Sequence, residues 1–328
     1  MSTPNLEYRV NEQVWPLDKP FRIARGVRTE ARVIVVTVSD GQHTGRAEAV
    51  PSKRYRETVA SAIAQLEQVF SNGERIDRER VQQLLPAGAA RNALDCALWD
   101  LEAKVSGKRA WELANIQVAN AVQTALTISL DTPERMAADA KGNAPILKLK
   151  LGGDDLDLPR VEAVRQEAPA AHLLVDANES WSPSHYRDIV SALGRLGVEL
   201  IEQPFPADAD GVLKTLDHPV PVCADESCHV SADLSRLVNQ YEAINIKLDK
   251  TGGLTEALLL TERARENRFK ILIGCMVCTS LGIAPARLLA AAADYIDLDG
   301  PLLLAGDRHH GLSYQDGKIG LPSRELWG

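Results

Sequence analysis

Ile146-Leu147-Lys148-Leu149-Lys150-Leu151 alternates apolar and basic side chains. A period of two is the signature of a β-strand, with the lysines on one face and the leucines on the other. Ile244-Asn245-Ile246-Lys247-Leu248-Asp249 repeats the pattern. Either stretch alone reads equally well as a surface strand. What lies between them decides the matter. Three apolar runs there end in carboxylates: Leu173-Leu174-Val175-Asp176, Leu200-Ile201-Glu202 and Val220-Pro221-Val222-Cys223-Ala224-Asp225. From Lys150 the steps to Asp176, Glu202, Asp225 and Lys247 are 26, 26, 23 and 22 residues. Each step is the length of one strand-plus-helix unit. A regular series of such units closes into a barrel that carries its chemistry at the C-terminal ends of the strands.

Outward from this core the same rhythm continues. Strands are expected at 122–130, 146–151, 172–176, 198–202, 220–224, 243–248, 271–274 and 294–298. Helices are expected between them at 133–141, 156–167, 184–196, 209–216, 231–239, 254–267 and 283–293. The chain before residue 120 has another style. A β-branched run from Arg32 to Val38 turns at Asp40-Gly41 and returns through Thr44 to Val50. Helices follow at 57–71 and 89–104; in the second, Leu94, Ala97, Leu98 and Leu101 share one face and Gly107 closes the helix. The expected organisation is therefore α/β: an α+β part over 1–119, completed by 303–328, and a barrel over 120–302.

The chain has 328 residues and a formal net charge of −8, which argues against nucleic acid as a partner because phosphates want a basic face. No apolar run reaches the ~18 residues of a membrane span. Met1 to Pro20 lacks the basic-then-apolar layout of a signal peptide, so a cytoplasmic protein is expected. Asn178-Glu179-Ser180 fits a glycosylation acceptor that a cytoplasmic chain would not use. The five cysteines are scattered. Cys275-Met276-Val277-Cys278 has redox or zinc spacing, but no matching second pair accompanies it, and idle thiols are the better reading. His309-His310 is read as solvated. The sequence leaves the oligomeric state open and admits a homo-oligomer.

Three carboxylates at neighbouring strand ends would repel one another without a cation. An all-oxygen set suits one Mg2+ per subunit, with positions left for substrate oxygens. A lysine facing inward on each side of such an ion has its pKa depressed, which makes it a base near neutral pH. A metal beside two opposed lysines suits proton removal next to a carboxylate from one face and return on the other, which is racemisation or epimerisation.

Lys148-Leu149-Lys150, Asp176-Ala177-Asn178-Glu179, Glu202-Gln203-Pro204, Ala224-Asp225-Glu226-Ser227 and Asn245-Ile246-Lys247-Leu248-Asp249-Lys250-Thr251-Gly252-Gly253 resemble the motifs of the enolase superfamily, in its muconate-lactonising subgroup. The resemblance spans the whole chain. It implies a (β/α)7β TIM-like barrel with an N-terminal α+β capping domain. It further implies Mg2+ on Asp176, Glu202 and Asp225, Lys150 and Lys247 as the acid/base pair, and Lys148 and Glu226 as groups that orient a ligand or tune a lysine.

One scaffold hosts many reactions. Ile296-Asp297-Leu298-Asp299-Gly300-Pro301 alternates, so Asp297 and Asp299 are expected to face the barrel opening together. The pair suits a cationic group, and it resembles the feature by which dipeptide epimerases hold a free α-ammonium. The lead Pro86-Ala87-Gly88-Ala89-Ala90-Arg91-Asn92 and Gly274-Cys275-Met276 extend that resemblance. It implies epimerisation of a dipeptide of the L-Ala-D/L-Glu type by 1,1-proton transfer, in the recycling of murein peptides. The glutamate side chain needs a cation; Arg25, in the segment Pro20-Phe21-Arg22-Ile23-Ala24-Arg25-Gly26, is the first choice and Arg22 the second. The alternatives are an N-acylamino acid racemase, an o-succinylbenzoate synthase and, in another class, a catalytically silent binding barrel.

Overall fold

In the N-terminal part, three strands make an antiparallel sheet: β1 (Glu7–Ile23), β2 (Gly26–Ser39) and β3 (Thr44–Ala49), in the order β1-β2-β3. The structure is a computed structural model that describes residues 6–72, 76–142 and 145–328, so part of the expectation for Met1 to Pro20 lies outside it. The turn at Asp40-Gly41 forms because the Asp40 carboxylate accepts the backbone N–H groups of Gln42 and His43 at 2.8 and 2.6 Å. The segment Pro20 to Gly26 is the end of a long hairpin. Phe21 pairs with Arg28, Arg22 with Val27 and Ile23 with Gly26, so only Ala24 and Arg25 turn the chain.

Two helices pack on this sheet, α1 (Val59–Ser71), capped by Thr58, and α3 (Ala89–Ser106), while α2 (Arg78–Leu84), capped by Asp77, packs on α3. The expected apolar face of α3 is buried, and so are Arg91, Asn92, Asp95 and Asp100 on its other faces. This follows from its place between the sheet and the barrel. Gly45 of β3 allows the contact, since a Cβ there would stand 2.2 Å from the Ala97 carbonyl oxygen.

The barrel has eight strands hydrogen-bonded in chain order: β5 (Leu126–Ile128), β6 (Ile146–Lys150), β7 (His172–Asp176), β8 (Val198–Glu202), β9 (Val222–Ala224), β10 (Ala243–Ile246), β11 (Lys270–Gly274) and β12 (Tyr295–Asp297). All neighbours are parallel. A hydrogen bond of 2.8 Å from Ala125 N to Ile296 O ties the first strand to the last. Helical segments cover the outside, from Pro133–Ala140 to Ser280–Ala286. This is the expected (β/α)7β barrel with an α+β cap.

Four expectations for single elements change; one is the helix at 283–293, which starts earlier, at Ser280, and becomes a 3-10 helix over Arg287–Ala292. The strand at 122–130 splits, because Thr124 leaves the barrel ladder: its N–H goes to Gly317 O and its hydroxyl accepts Leu298 N. The piece before it, β4 (Ala121–Gln123), pairs instead with the hairpin of β13 (Tyr314–Gln315) and β14 (Lys318–Gly320). The helix at 209–216 is a 3-10 turn, Asp210–Thr215, with the poor helix former Gly211 inside it. The helix at 231–239 shrinks to Ser231–Asp233 and Leu234–Leu237, ending before Asn239, which is left-handed at φ 63°. Past β14 the chain runs back to α3, where Trp327 Nε1 donates to Cys96 O at 3.0 Å and Gly328 N to Asp100 at 2.7 Å.

Candidate active site

Register aligns the charged groups. Lys150 is opposite Asp176, and Asp176 is opposite Glu202, so the last residues of β6, β7 and β8 stand side by side. Asp225 follows the end of β9 and Lys247 follows the end of β10. In a closed ring of eight strands, β6 and β10 lie four positions apart and are diametrically opposed. The two lysines therefore approach the same space from opposite walls. All five residues are buried.

Lysines hold the carboxylates. Lys150 Nζ donates to Asp176 Oδ2 at 2.5 Å, and Lys247 Nζ to Asp225 Oδ2 at 2.6 Å. Lys148 Nζ reaches Glu202 Oε2 at 2.7 Å and Asp297 Oδ2 at 2.6 Å, tying the ligand set to the last strand. Burial by itself would raise the Asp176 carboxyl, but the ammoniums of Lys150, Lys148 and Lys247 outweigh it and hold the group down at about 2. Asp225 goes well below the usual range for the same reason, with Lys247 and Lys250 opposing burial. Glu202 goes up, driven by burial and then by the Asp176 charge. Burial would lower Lys247, yet Asp225 and Glu202 raise it, so as placed it carries its proton.

Among the described residues no three carboxylate, thiol or imidazole groups close around one point as placed. The donor set nevertheless fits a hard divalent cation. Asp176, Glu202 and Asp225 offer oxygen only, at adjacent strand ends. Glu202 Oε2 and Asp225 Oδ1 are buried oxygens without a directed hydrogen bond, although Lys148 and Lys250 each bring an ammonium to 2.7 Å. Charge is balanced there and a lone-pair partner is still missing, which is a demand a metal would meet.

The cavity above these groups has a volume of about 400 Å³ and is roofed by the cap. Asp297 and Asp299 both line it, but strand alternation is not the cause. β12 ends at Asp297, and Asp299 stands beyond it at the start of the turn Gly300–Leu303, held by Thr127 N at 2.6 Å. Burial, and then the charge of Asp297, push the Asp299 carboxyl up to about 7.

Arg25 also lines the cavity, but its charge is already engaged. It lies 2.7 Å from Glu226 Oε1 and 3.1 Å from Glu179 Oε2, and donates to Asn178 O at 2.7 Å. Arg22 points to Asp131 on the outside at 3.4 Å. Glu226 is pushed up to about 7 by burial and by Asp225 and Asp176, with Arg25 opposing. His309 and His310 flank a separate hollow with Trp15 and Arg46. The five cysteines are free; four are buried and Cys275 lines the cavity.

Several residues of the site carry no expectation from sequence. Asn245 Nδ2 donates to Glu202 Oε1 at 2.8 Å, and its position two before Lys247 on one strand was the available signal. Lys250 donates to the carbonyls of Asp225, Cys228 and Asn245, anchoring two barrel loops. Arg54 and Tyr55 reach the cavity from the cap, Tyr55 edge-on to His229 at 4.6 Å. The basic cluster Lys53-Arg54-Tyr55-Arg56 was their only trace in the sequence.

Comparison with known proteins agrees with this geometry. Residues 132–325 match the family described as enolase C-terminal domain-like, and residues 5–114 match the mandelate racemase / muconate lactonizing enzyme N-terminal domain. The chain is 45% identical over 318 residues to the L-Ala-D/L-Glu epimerase of Escherichia coli K12, covering 95% of this chain and 99% of that one. It is 44% identical over 301 residues to the N-acetyl-D-glutamate racemase of a Pseudoalteromonas species, covering 90% and 95%. Among solved structures, an enolase family member from Agrobacterium tumefaciens with homology to dipeptide epimerases, holding sodium and L-Ala-L-Glu with an ordered loop, superposes with a TM-score of 0.96 at 46% identity, covering 98% of this chain and 100% of that one. The dipeptide epimerase of Cytophaga hutchinsonii, complexed with Mg and D-Ala-L-Val, superposes at 0.90 with 26% identity, covering 96% and 92%.

Proposed function

Because the chain belongs to the enolase superfamily, in its mandelate racemase and muconate lactonizing branch, we infer that it is an isomerase that epimerises the dipeptide L-Ala-D/L-Glu at the α-carbon of the glutamate. The observation that carries the assignment is the pair of lysines on opposed strands, with the acidic pair Asp297 and Asp299 on the wall of the same cavity. Asp176, Glu202 and Asp225 would hold Mg2+, which when bound draws carboxylate charge away from the lysines and offsets the negative charge that develops at the substrate carboxylate.

The remaining work belongs to the chain. Lys150 and Lys247 address opposite faces of the α-carbon. One, as the free amine, takes the α-proton; the other, as the ammonium, returns a proton to the opposite face. The roles exchange with the epimer bound, and no proton is gained or lost overall. Asp297 and Asp299 receive the α-ammonium of the alanine residue. That contact is remote from the reacting carbon and serves to position it. Lys148 bridges Asp297 and Glu202, so it couples the place of the ammonium to the place of the carboxylate. Glu226 holds the cap through Arg25.

A second reading, racemisation of an N-acylated glutamate, has the Pseudoalteromonas relative in its favour. Such a substrate has no ammonium, and Asp297 and Asp299 would face its amide with negative charge. The free dipeptide is therefore the better fit. A silent binding barrel has no use for two lysines opposed across one cavity. We assign the reaction to the cytoplasm and to the recovery of cell-wall peptides, which contain the L-Ala-D-Glu unit. No helix among the described residues is long and apolar enough to cross a membrane.

The test is exchange of the glutamate α-hydrogen in heavy water, followed by NMR, with L-Ala-L-Glu and N-acetyl-D-glutamate side by side. Exchange and epimerisation of the dipeptide are expected, lost on chelation of divalent ions and restored by Mg2+. Exchange of the acetylated amino acid alone would move the assignment to the second reading.

A further inference from the structure

Asp157 is fully buried at the start of the helix Asp157–Glu167, behind the cavity wall, and it gathers two successive barrel loops. Its Oδ1 accepts Gly152 N and its Oδ2 accepts Gly153 N, both at 2.8 Å. These glycines open the loop after β6, directly beyond Lys150-Leu151. Oδ2 also accepts Trp181 Nε1 at 2.9 Å, from the loop after β7, and lies 3.2 Å from His185 Nε2. Arg160 Nη1, at 2.8 Å from Oδ1, balances the charge. The two loops touch. Gly153 is left-handed at φ 76°, and a Cβ there would stand 2.4 Å from Ser180 O. A buried carboxylate surrounded by donors makes charge-assisted bonds that water does not replace, so this junction is stiff. Among the described residues, these partners of Asp157 all belong to the barrel.

The opposite base is held differently. Lys247 leads into the turn Leu248–Thr251, and the cap grips that turn. Arg91 of α3 donates to Thr251 O at 2.6 Å and to Gly252 O at 3.2 Å. Asp249, in the same turn, accepts Val50 N and Asn92 Nδ2 from the cap. Gly252, left-handed at φ 75°, makes room for the guanidinium; a Cβ there would stand 2.3 Å from Arg91 Nε. Within the barrel, Lys250 ties the turn to the loop after β9.

We propose that the two opposed lysines have separate supports: Asp157 is a positioning residue for Lys150 from inside the barrel, and Arg91 is a positioning residue for Lys247 from the cap. The proposal rests on the reading of the site as a two-base epimerase, and it adds that the grip of the cap bears on one of the two proton transfers. A base acts only within hydrogen-bond reach of the proton it moves, so a small displacement of the loop behind one lysine slows transfer on that face of the α-carbon alone.

In heavy water each epimer has two outcomes: inversion, when the second lysine delivers the proton, or deuterium with retained configuration, when the first lysine returns a solvent-derived one. The experiment measures the ratio of retention to inversion, by NMR, for L-Ala-L-Glu and L-Ala-D-Glu with the wild type, Asp157→Asn, Trp181→Phe and Arg91→Lys. Lys150→Ala and Lys247→Ala show which epimer each lysine deprotonates. Asp157→Asn turns an amide NH2 toward donors. It should raise the ratio at least about threefold for the epimer whose exchange survives in Lys150→Ala, and lower it for the other. Trp181→Phe removes one donor and leaves the carboxylate; it should move both ratios the same way by less, and it carries the test if Asp157→Asn does not fold. Arg91→Lys should give the opposite pattern. General loosening moves the two epimers alike, so equal changes for both, or wild-type ratios in the folded variants, overturn the proposal. A wild type that exchanges the α-hydrogen of neither epimer overturns the epimerase reading instead.

Discussion

Arg54 grips Glu179 with two hydrogen bonds of 2.5 Å, Nε to Oε2 and Nη2 to Oε1. The arginine belongs to the cap and the glutamate to the turn after β7, immediately above the expected metal ligands. Glu179 also receives Arg25 and the backbone N–H of Ala207, and it keeps a left-handed backbone at φ 69°, a conformation costly for a residue with a side chain. One carboxylate thus fastens two cap loops over the cavity.

Glu179→Gln should loosen both loops together, because the amide offers one acceptor where the carboxylate offers two. We expect kcat/KM to fall by about tenfold or more for acidic and neutral dipeptides alike, matching ~1.4 kcal/mol. Faster proteolytic cleavage near residues 24–28 should accompany it. Unchanged kinetics and an unchanged cleavage pattern would show that the clasp has no part in closing the site.

Lys150→Ala and Lys247→Ala should each stop epimerisation. Each variant keeps one of the two opposed bases, so each should still exchange the α-hydrogen of a single epimer, and the two should choose opposite epimers. NMR in heavy water separates these outcomes. Near wild-type epimerisation by Lys247→Ala would leave the two-base mechanism without support.

Asp297→Asn and Asp299→Asn should lower kcat/KM for L-Ala-L-Glu by at least about tenfold, since a charge-assisted hydrogen bond contributes roughly 1.5–3 kcal/mol. N-acetylation of the dipeptide should cost the wild type heavily and the variants much less. Equal sensitivity to acetylation in all three enzymes would mean that the ammonium sits elsewhere.

Asp249 joins barrel to cap: its Oδ1 accepts Val50 N at 2.8 Å and Asn92 Nδ2 at 2.9 Å, fully inside the protein. Burial raises its carboxyl from 3.8 to about 7. Between those values the unfolded chain has lost the proton and the folded chain keeps it, so this group's contribution to stability falls as pH rises toward about 7 and is level above. Asp249→Asn keeps an acceptor and removes the titration. The difference in Tm, variant minus wild type, should increase from pH 4 to pH 7, and a difference independent of pH would refute the assignment.

The barrel, the three carboxylates and the two lysines were legible in the sequence because each depends on local facts. Period two marks a strand, a carboxylate ends it, and the length of one βα unit sets the distance to the next. Parallel neighbours then place consecutive strand ends side by side, so linear spacing becomes angular position around a ring. Asp299 was reached by the wrong route. Alternation put it beside Asp297, whereas the strand ends at Asp297 and a hydrogen bond from Thr127, far away in sequence, holds Asp299 in place. The choice among the arginines of the hairpin was beyond the sequence altogether. Arg22 and Arg25 stand in one hairpin, and Arg54 belongs to the Lys53–Tyr55 turn of the same cap. What separates them is which carboxylate each meets across the boundary between cap and barrel. Glu179 is more than a hundred residues from Arg25 and from Arg54, and only folding brings it to both.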